Sequence, residues 1–392
     1  MVDLVSVIRP GDSITWGQAC AEPQTLVEAL VAQRGTFPGA RAFLGINYSG
    51  IVRPEHADHL RLSSYCGSGH NRALADAGVL EIHPVPYSSL ASLVRADVVM
   101  LQVSPPNAGG EYSLGLAADY LVPALKSARA VIAEVNDQVP WTHTEKVFRR
   151  EDFALLIESS RPPASPPSSN FTELERAIAH RAAALVPDGA TLEFGLGALP
   201  DAVCAALAGH KALSIHSGTI GDGAVDLLQR GVASDAVCAL LIGTRKLFDY
   251  ARENPKIQLR SCEHTHNPRV LAGLERFVAL NTAIEVDLSG QVNAEVARGS
   301  YLGAVGGAPD FARAASHSPG GASLVLVPAS RIVGSLSGPV TVPRSDAGIV
   351  VTEHGTADLR NASLPDRARL LLSIADPSSR PALEQGAALL KQ

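Results

Sequence analysis

Glu285 is a carboxylate in an unusual setting. It lies within Asn281–Phe311, NTAIEVDLSGQVNAEVARGSYLGAVGGAPDF, where an apolar run (Phe277–Leu280, then Ile284, Val286 and Leu288) meets a turn at Ser289-Gly290. An ionisable group in an apolar, strand-like stretch costs free energy unless it is paired or used. A strand-end glutamate facing solvent or a cation is the plain structural reading, because ion pairs that only support a fold are common. The chemical reading is covalent catalysis. A carboxylate can attack an acyl thioester to give a mixed anhydride, and the released thiolate can then attack the glutamyl carbonyl to give an enzyme thioester. A second carboxylic acid would run these steps in reverse and leave carrying the thiol. Donor, enzyme and acceptor are all carboxyl groups, so the exchange is close to balanced in energy.

Two glycine loops could assist such a group. Phe194-Gly195-Leu196-Gly197-Ala198-Leu199-Pro200 follows a strand and opens a helix. Glycines there let backbone approach a ligand, and a helix N-terminus can receive an anion. It is not a dinucleotide fingerprint, since the third glycine is absent and proline occupies the turn; a tight turn without a ligand fits equally well. Gly303–Phe311 contains Gly306-Gly307, whose N–H groups could stabilise charge developing on a thioester oxygen. A turn that needs positive φ is the alternative. His216-Ser217 invites a hydrolase reading, but there is no G-x-S-x-G elbow and no acid placed to complete a triad. His264 and His266, in Glu263–His266, share one face of an extended segment. No third ligand stands at a persuasive spacing, so a polar loop without metal is expected. The five cysteines (Cys20, Cys66, Cys204, Cys238, Cys262) form no C-x-x-C pair, which suits a reducing cytoplasm.

The elements that would position these residues are those of an α/β protein. A chain of 392 residues points to two domains. Its net charge of -6 comes without a basic block, which argues against nucleic acid and an anionic membrane surface as partners. No basic-then-apolar leader opens the sequence, and no apolar run approaches the ~20 residues that span a bilayer. Strands are expected at Ser13–Gly17, Ala42–Ile46, Val79–Val85, Asp97–Val103 and Ala130–Val135, and helices from Glu22-Pro23, over Tyr120–Ala128 and over Phe171–Val186. Asp97–Val103 is nearly all apolar, the mark of a strand buried on both faces. Arg161–Asn170, RPPASPPSSN, reads as a linker between domains at 1–165 and 171–392. The second half then repeats the first. Gly11–Gly17 aligns with Gly189–Gly195, PQTLVEALV from Pro23 with PDAVCAALA from Pro200, and the stretch from Val98 with that from Val278. Two related open parallel sheets follow. Ligands of such sheets bind beyond the carboxyl ends of the strands. That rule puts Glu285, Ser104–Gly110 and Gly195–Pro200 at strand ends around a cleft between the halves.

Several stretches together resemble the acetyl-CoA hydrolase/transferase family, the glutamate-dependent CoA-transferases. They are GQACAEPQTLVEAL from Gly17, QVSPPNAGGEYSLG from Gln102, IAEVNDQVPWTH from Ile132, FGLGALPDAV from Phe194, NTAIEVDLSGQVNAE from Asn281, VGGAPDF from Val305 and VVTEHGTADLRNASLPDRA from Val350. The resemblance covers nearly the whole chain. It implies two similar α/β domains of the CoA-transferase (NagB/RpiA-like) type, with Glu285 as covalent nucleophile. The loop Ala304-Val305-Gly306-Gly307 would lie against the thioester, and the Gly355 N–H near the developing oxyanion. Gly195, Gly197 and Gly218 join Ala304 and Val305 as expected contacts to CoA or substrate. No permanently bound cofactor or metal is expected. A CoA thioester and a small carboxylate (acetate, butyrate, 4-hydroxybutyrate, succinate or itaconate) would be the substrates, and the enzyme a cytoplasmic homodimer or larger homo-oligomer. Two departures are visible: Ala304 stands where the family has the first loop glycine, and Gly218 where many members have glutamate after His-Ser. An acyl-CoA hydrolase of the same family is the alternative activity. A non-covalent sugar-phosphate isomerase or effector-binding domain on a similar fold is the remoter one.

Overall fold

The computed structural model describes residues 2–166 and 170–387. Two compact units divide the chain: Met1–Pro167 with Val237–Thr265 and Ser300–Leu302, and Ser168–Ala236 with His266–Gly299 and Gly303–Gln392. Arg161–Pro166 has no regular structure, and the remainder of the proline-rich stretch, 167–169, lies outside the described residues.

The first unit is built on a seven-stranded parallel sheet. Its strands lie in the order Leu155–Ser159, Ala130–Asn136, Val98–Val103, Ser13–Trp16, Arg41–Leu44, Arg61–Ser64 and Leu80–Ile82. Every residue of Val98–Val103 is buried, as its unbroken apolar run requires. Helix Gln24–Gln33 follows the first strand. Its start carries no side-chain cap of its own. Buried Glu134, on the strand Ala130–Asn136, accepts from the N–H groups of Thr25 (2.9 Å) and Leu26 (3.2 Å) instead. A carboxylate there satisfies two of the helix's orphan donors and complements its dipole.

The second unit repeats this plan. Its strands run Gly355–Asp358, Ile349–Thr352, Ala322–Leu326, Phe277–Thr282, Thr191–Phe194 and Leu213–Ile220, parallel except for the hairpin that joins Ile349–Thr352 to Gly355–Asp358. The sequence repeat is reproduced down to register. Ile14 pairs with Val98 in the first sheet, and the aligned residues Leu192 and Val278 pair in the second. The aligned glycines that enter these strands, Gly11 and Gly189, share a left-handed φ of 79° and 73°. Among the described residues no helix is long and apolar enough to cross a membrane.

Glu285 does not end a strand of the large sheet. That strand stops at Thr282, and the Ile284 N–H turns away to the Asn293 carbonyl at 2.8 Å. Glu285 then opens a new strand, Glu285–Asp287, central in a small three-stranded sheet between Val292–Asn293 and Ile332–Val333. Val286, Leu288, Val292 and Ile332 bury in a separate core with Leu359 and Leu371. The apolar alternation therefore belongs to two strands, each with its own core.

Candidate active site

Glu285 is half-buried and held by donors from both sides. The Ser337 N–H donates to Oε2 at 2.9 Å, and the Ser337 hydroxyl lies 2.8 Å from Oε1 and 2.9 Å from Oε2. Asn293, its antiparallel pairing partner, donates from Nδ2 to Oε2 at 3.4 Å. Burial pushes the carboxyl up, but the backbone and hydroxyl bonds of Ser337, the Asn293 amide and the charge of Arg331 outweigh it. The net effect holds Glu285 below the ordinary glutamate range, so it is ionised at neutral pH.

The surrounding EVDLSGQVN sequence explains this placement. Asp287 accepts from the Ser289 N–H (2.9 Å), the Ser289 hydroxyl (2.7 Å), the Gln291 N–H (3.0 Å) and the Gln291 amide (2.8 Å). A side chain that closes its own turn in this way fixes the hairpin register. That register sets Asn293 opposite Glu285. Asn293 is fully buried; its Oδ1 accepts from the N–H groups of Glu295 and Val296, and its Nδ2 also donates to the Val296 carbonyl at 2.8 Å. Ser337 belongs to the exposed segment Gly334–Val340, which Thr341 anchors through its N–H to the Val292 carbonyl and its hydroxyl to Glu295.

The glycine loop packs on histidine. A Cβ on Gly307 would fall 2.7 Å from Phe311 Cε2 and 2.8 Å from His266 Nε2, and one on Gly218 would fall 3.1 Å from the same nitrogen. Gly218 and Gly307 thus meet across one imidazole. His266 is 2% exposed and its ring centroid stands 4.6 Å from that of Phe311. Burial, reinforced by His216, drives its pKa down to about 3, so the ring is neutral. The sequence reading of an extended polar loop at Glu263–His266 is therefore wrong. Cys262–Thr265 is helical, and His266 leaves it into the core between Phe311 and the two glycines. Ala304 and Val305 are half-buried in the same loop. Among the described residues no group of His, Cys, Asp or Glu is arranged to hold a metal ion.

The other expected site residues stand on other elements of the second unit. Gly195 and Gly197 precede helix Ala198–Ala206, whose start has no side-chain cap, and a Cβ on either would meet nothing within 4 Å. Gly355 opens the edge strand beyond the Glu353-His354 turn, backed by Ile374. Among the described residues no hydrogen bond joins Gly195, Gly197 or Gly355 to Glu285.

The profile of the acetyl-CoA hydrolase/transferase N-terminal domain matches residues 2–148, and that of the C-terminal domain matches 243–387. A 4-hydroxybutyrate coenzyme A transferase of Clostridium kluyveri is 32% identical, over 97% of this chain and 94% of its own. The chain belongs to the acetyl-CoA hydrolase/transferase family. Solved structures agree. RipA from Yersinia pestis superposes with a TM-score of 0.93 at 30% identity, covering 98% of this chain and 95% of that one. A 4-hydroxybutyrate CoA-transferase from Porphyromonas gingivalis gives 0.80 at 30% identity, covering 98% and 95%. The family is one of enzymes, and its fold is the pair of open α/β sheets described above.

In this member of the acetyl-CoA hydrolase/transferase family, a second carboxyl beside the loops behaves differently from Glu285. Glu193 is 3% exposed and accepts from Asn281 Nδ2 at 2.9 Å. Burial raises its pKa to about 8, against the bonds from Asn281 and the backbone. A carboxyl whose folded value exceeds its unfolded value binds its proton more tightly when folded. Its stabilising effect is complete below the unfolded value of 4.5 and is lost as pH rises toward about 8. Glu193→Gln, which cannot ionise, is expected to flatten the decline of Tm between about pH 5 and pH 8 and to raise Tm at the alkaline end. Scanning calorimetry across that range checks this, and an unchanged slope would rule out Glu193 as its source.

Proposed function

We propose that the protein is a CoA-transferase that moves CoA from an acyl-CoA to a small carboxylic acid, with Glu285 as the covalent nucleophile. The observation that carries this reading is an ionised, accessible carboxylate clamped by Ser337 and Asn293 on its own small sheet. A glutamate needed only for an ion pair would not require such orientation; a nucleophile does.

The two carboxylate oxygens are unequal. Oε2 receives the Ser337 N–H and the Asn293 amide, whereas Oε1 has only the Ser337 hydroxyl, whose single proton is shared with Oε2. Oε1 is therefore the attacking atom, freed when one hydroxyl rotates. It bonds to the thioester carbon as the C–S bond breaks, giving a mixed anhydride and CoA thiolate. The thiolate then attacks the glutamyl carbon, the acyl group leaves as its carboxylate, and a glutamyl-CoA thioester remains. In that second step the negative charge develops on Oε2, within reach of the donors that already hold it. Gly306, Gly307 and Gly355 are assigned by the same reading to N–H contacts with the thioester. Gly195, Gly197, Ala304, Val305 and Gly218 are assigned to contacts with CoA and the acyl group. The reading also takes 1–165 and 171–392 as the two domains and a cytoplasmic homo-oligomer as the working form.

Incubation with an acyl-CoA, borohydride reduction and peptide mass spectrometry test the nucleophile. The expected result is reduction of one side chain, Glu285, to the alcohol. A reacted protein with Glu285 unaltered would refute the covalent path. Adding acetate or succinate separates transfer from hydrolysis, because a transferase makes a new acyl-CoA and a hydrolase releases free CoA whatever acid is present.

A further inference from the structure

We propose that Arg331 holds the carboxylate of the acceptor acid beside the glutamyl-CoA thioester, and so is a substrate-binding residue of the acyl-exchange step. The inference rests on the proposed role of Glu285. Its own basis is the register of the small sheet. Val286 pairs in parallel with Ile332 and Asp287 with Val333, so Glu285 and Arg331 are the residues that immediately precede the first paired position on each side. Val286 and Ile332 are buried side by side on strands about 4.8 Å apart, which sets their predecessors, Glu285 and Arg331, at the same end of the small sheet. Arg331 ends the single turn Ala329–Arg331 that leads into this pairing.

Arg331 is exposed, and among the described residues its guanidinium makes no hydrogen bond or ion pair. Asp358, Asp366 and Asp346 each pair with an arginine in the same unit. Arg331 is thus a cation that is not engaged in holding the fold, yet its charge reaches Glu285.

The reaction creates a use for that charge. At rest Glu285 is an anion and offsets Arg331. Once Glu285 is a thioester its charge is gone, and that of Arg331 is no longer offset. The next reactant to arrive there is a carboxylate. One of its oxygens bonds to the glutamyl carbon as the C–S bond breaks and CoA leaves as thiolate. The thiolate then bonds to the acceptor's carbon as the anhydride C–O bond breaks, restoring the Glu285 carboxylate and releasing the new acyl-CoA. No proton or electron is gained or lost. A planar guanidinium matches a carboxylate in charge and shape, leaving the second oxygen free to attack. While Glu285 is charged, its repulsion of a second anion offsets the attraction of Arg331; after acylation that attraction is unopposed. Acceptor binding is thereby tied to the state of the nucleophile.

The test uses Arg331→Gln and Arg331→Lys with the best donor and acceptor found among acetate, butyrate, 4-hydroxybutyrate, succinate and itaconate and their CoA thioesters. For Arg331→Gln the acceptor KM should rise about 10- to 100-fold, the size of a lost charge-assisted bond, while the acyl-CoA KM stays within about twofold. Arg331→Lys should recover part of the loss, and both variants should melt with the wild type. The borohydride-trapped Glu285 adduct should still form from acyl-CoA. An unchanged acceptor KM with the adduct intact overturns the role of Arg331 alone. An effect confined to the acyl-CoA KM, or equal on both substrates, also overturns it. A wild-type enzyme that forms no adduct overturns the covalent reading beneath it, and this proposal with it.

Discussion

Glu285→Gln is expected to lower kcat for CoA transfer by at least about 1,000-fold, because loss of a covalent nucleophile leaves only substrate positioning. Glutamine keeps the shape and can still accept from the Ser337 N–H, so the small sheet should persist. Its amide cannot form the anhydride. The measurement is acyl exchange between an acyl-CoA and a carboxylic acid, followed together with CoA binding by calorimetry and far-UV circular dichroism. Binding and spectrum should match the wild type. Transfer within tenfold of the wild type would end the case for Glu285 as nucleophile. A variant that fails to fold would return it to the plain structural reading of a strand glutamate.

The second large effect concerns packing. Gly307→Ala puts a methyl into two buried rings, those of Phe311 and His266. Overpacking of this kind costs about 1–3 kcal/mol, because the rings stand in a close-packed core. The loop that carries Gly306 must shift as well, so transfer activity should drop at least tenfold. Combining Gly307→Ala with His266→Ala makes room for the methyl. The pair should be less harmful than the sum of the two single changes, a coupling that a double-mutant cycle measures by Tm and by kcat/KM. Strict additivity would show that the two residues do not press on one another.

The fold was legible where the chain repeats a local pattern. Gly11 and Gly189, the strands they open and the neighbours of those strands follow one template, and the shared register of Ile14–Val98 and Leu192–Val278 shows that the alignment reflected backbone pairing. The buried run Val98–Val103 was plain for the same reason: burial on both faces writes itself into composition. Glu285 drew notice as a charge amid apolar residues, but its surroundings could not be read. Ser337 lies 52 residues further on, and only chain path brings it to the carboxylate. Arg331 stands just before Ile332, whose pairing with Val286 joins two very short strands that no periodicity announces. His266 looked polar because histidine usually is; the two glycines that admit it to the core lie 41 and 48 positions away on either side, at Gly307 and Gly218. The departure at Gly218 gains a physical meaning from this, since a side chain there would displace the imidazole.

The detour at Ile284 has a mechanical consequence. The large sheet of the second unit is held by ladders of two to five partners, whereas Glu285 rides on strands of two and three residues whose apolar side chains, Val286 and Val292, are buried with Val325 and Val350 of that sheet. Burial on that face, more than ladder length, keeps the short strands in place. When Glu285 exchanges partners, the contacts that change are therefore those of its side chain with Ser337 and Asn293, and the buried residues that flank it keep their places.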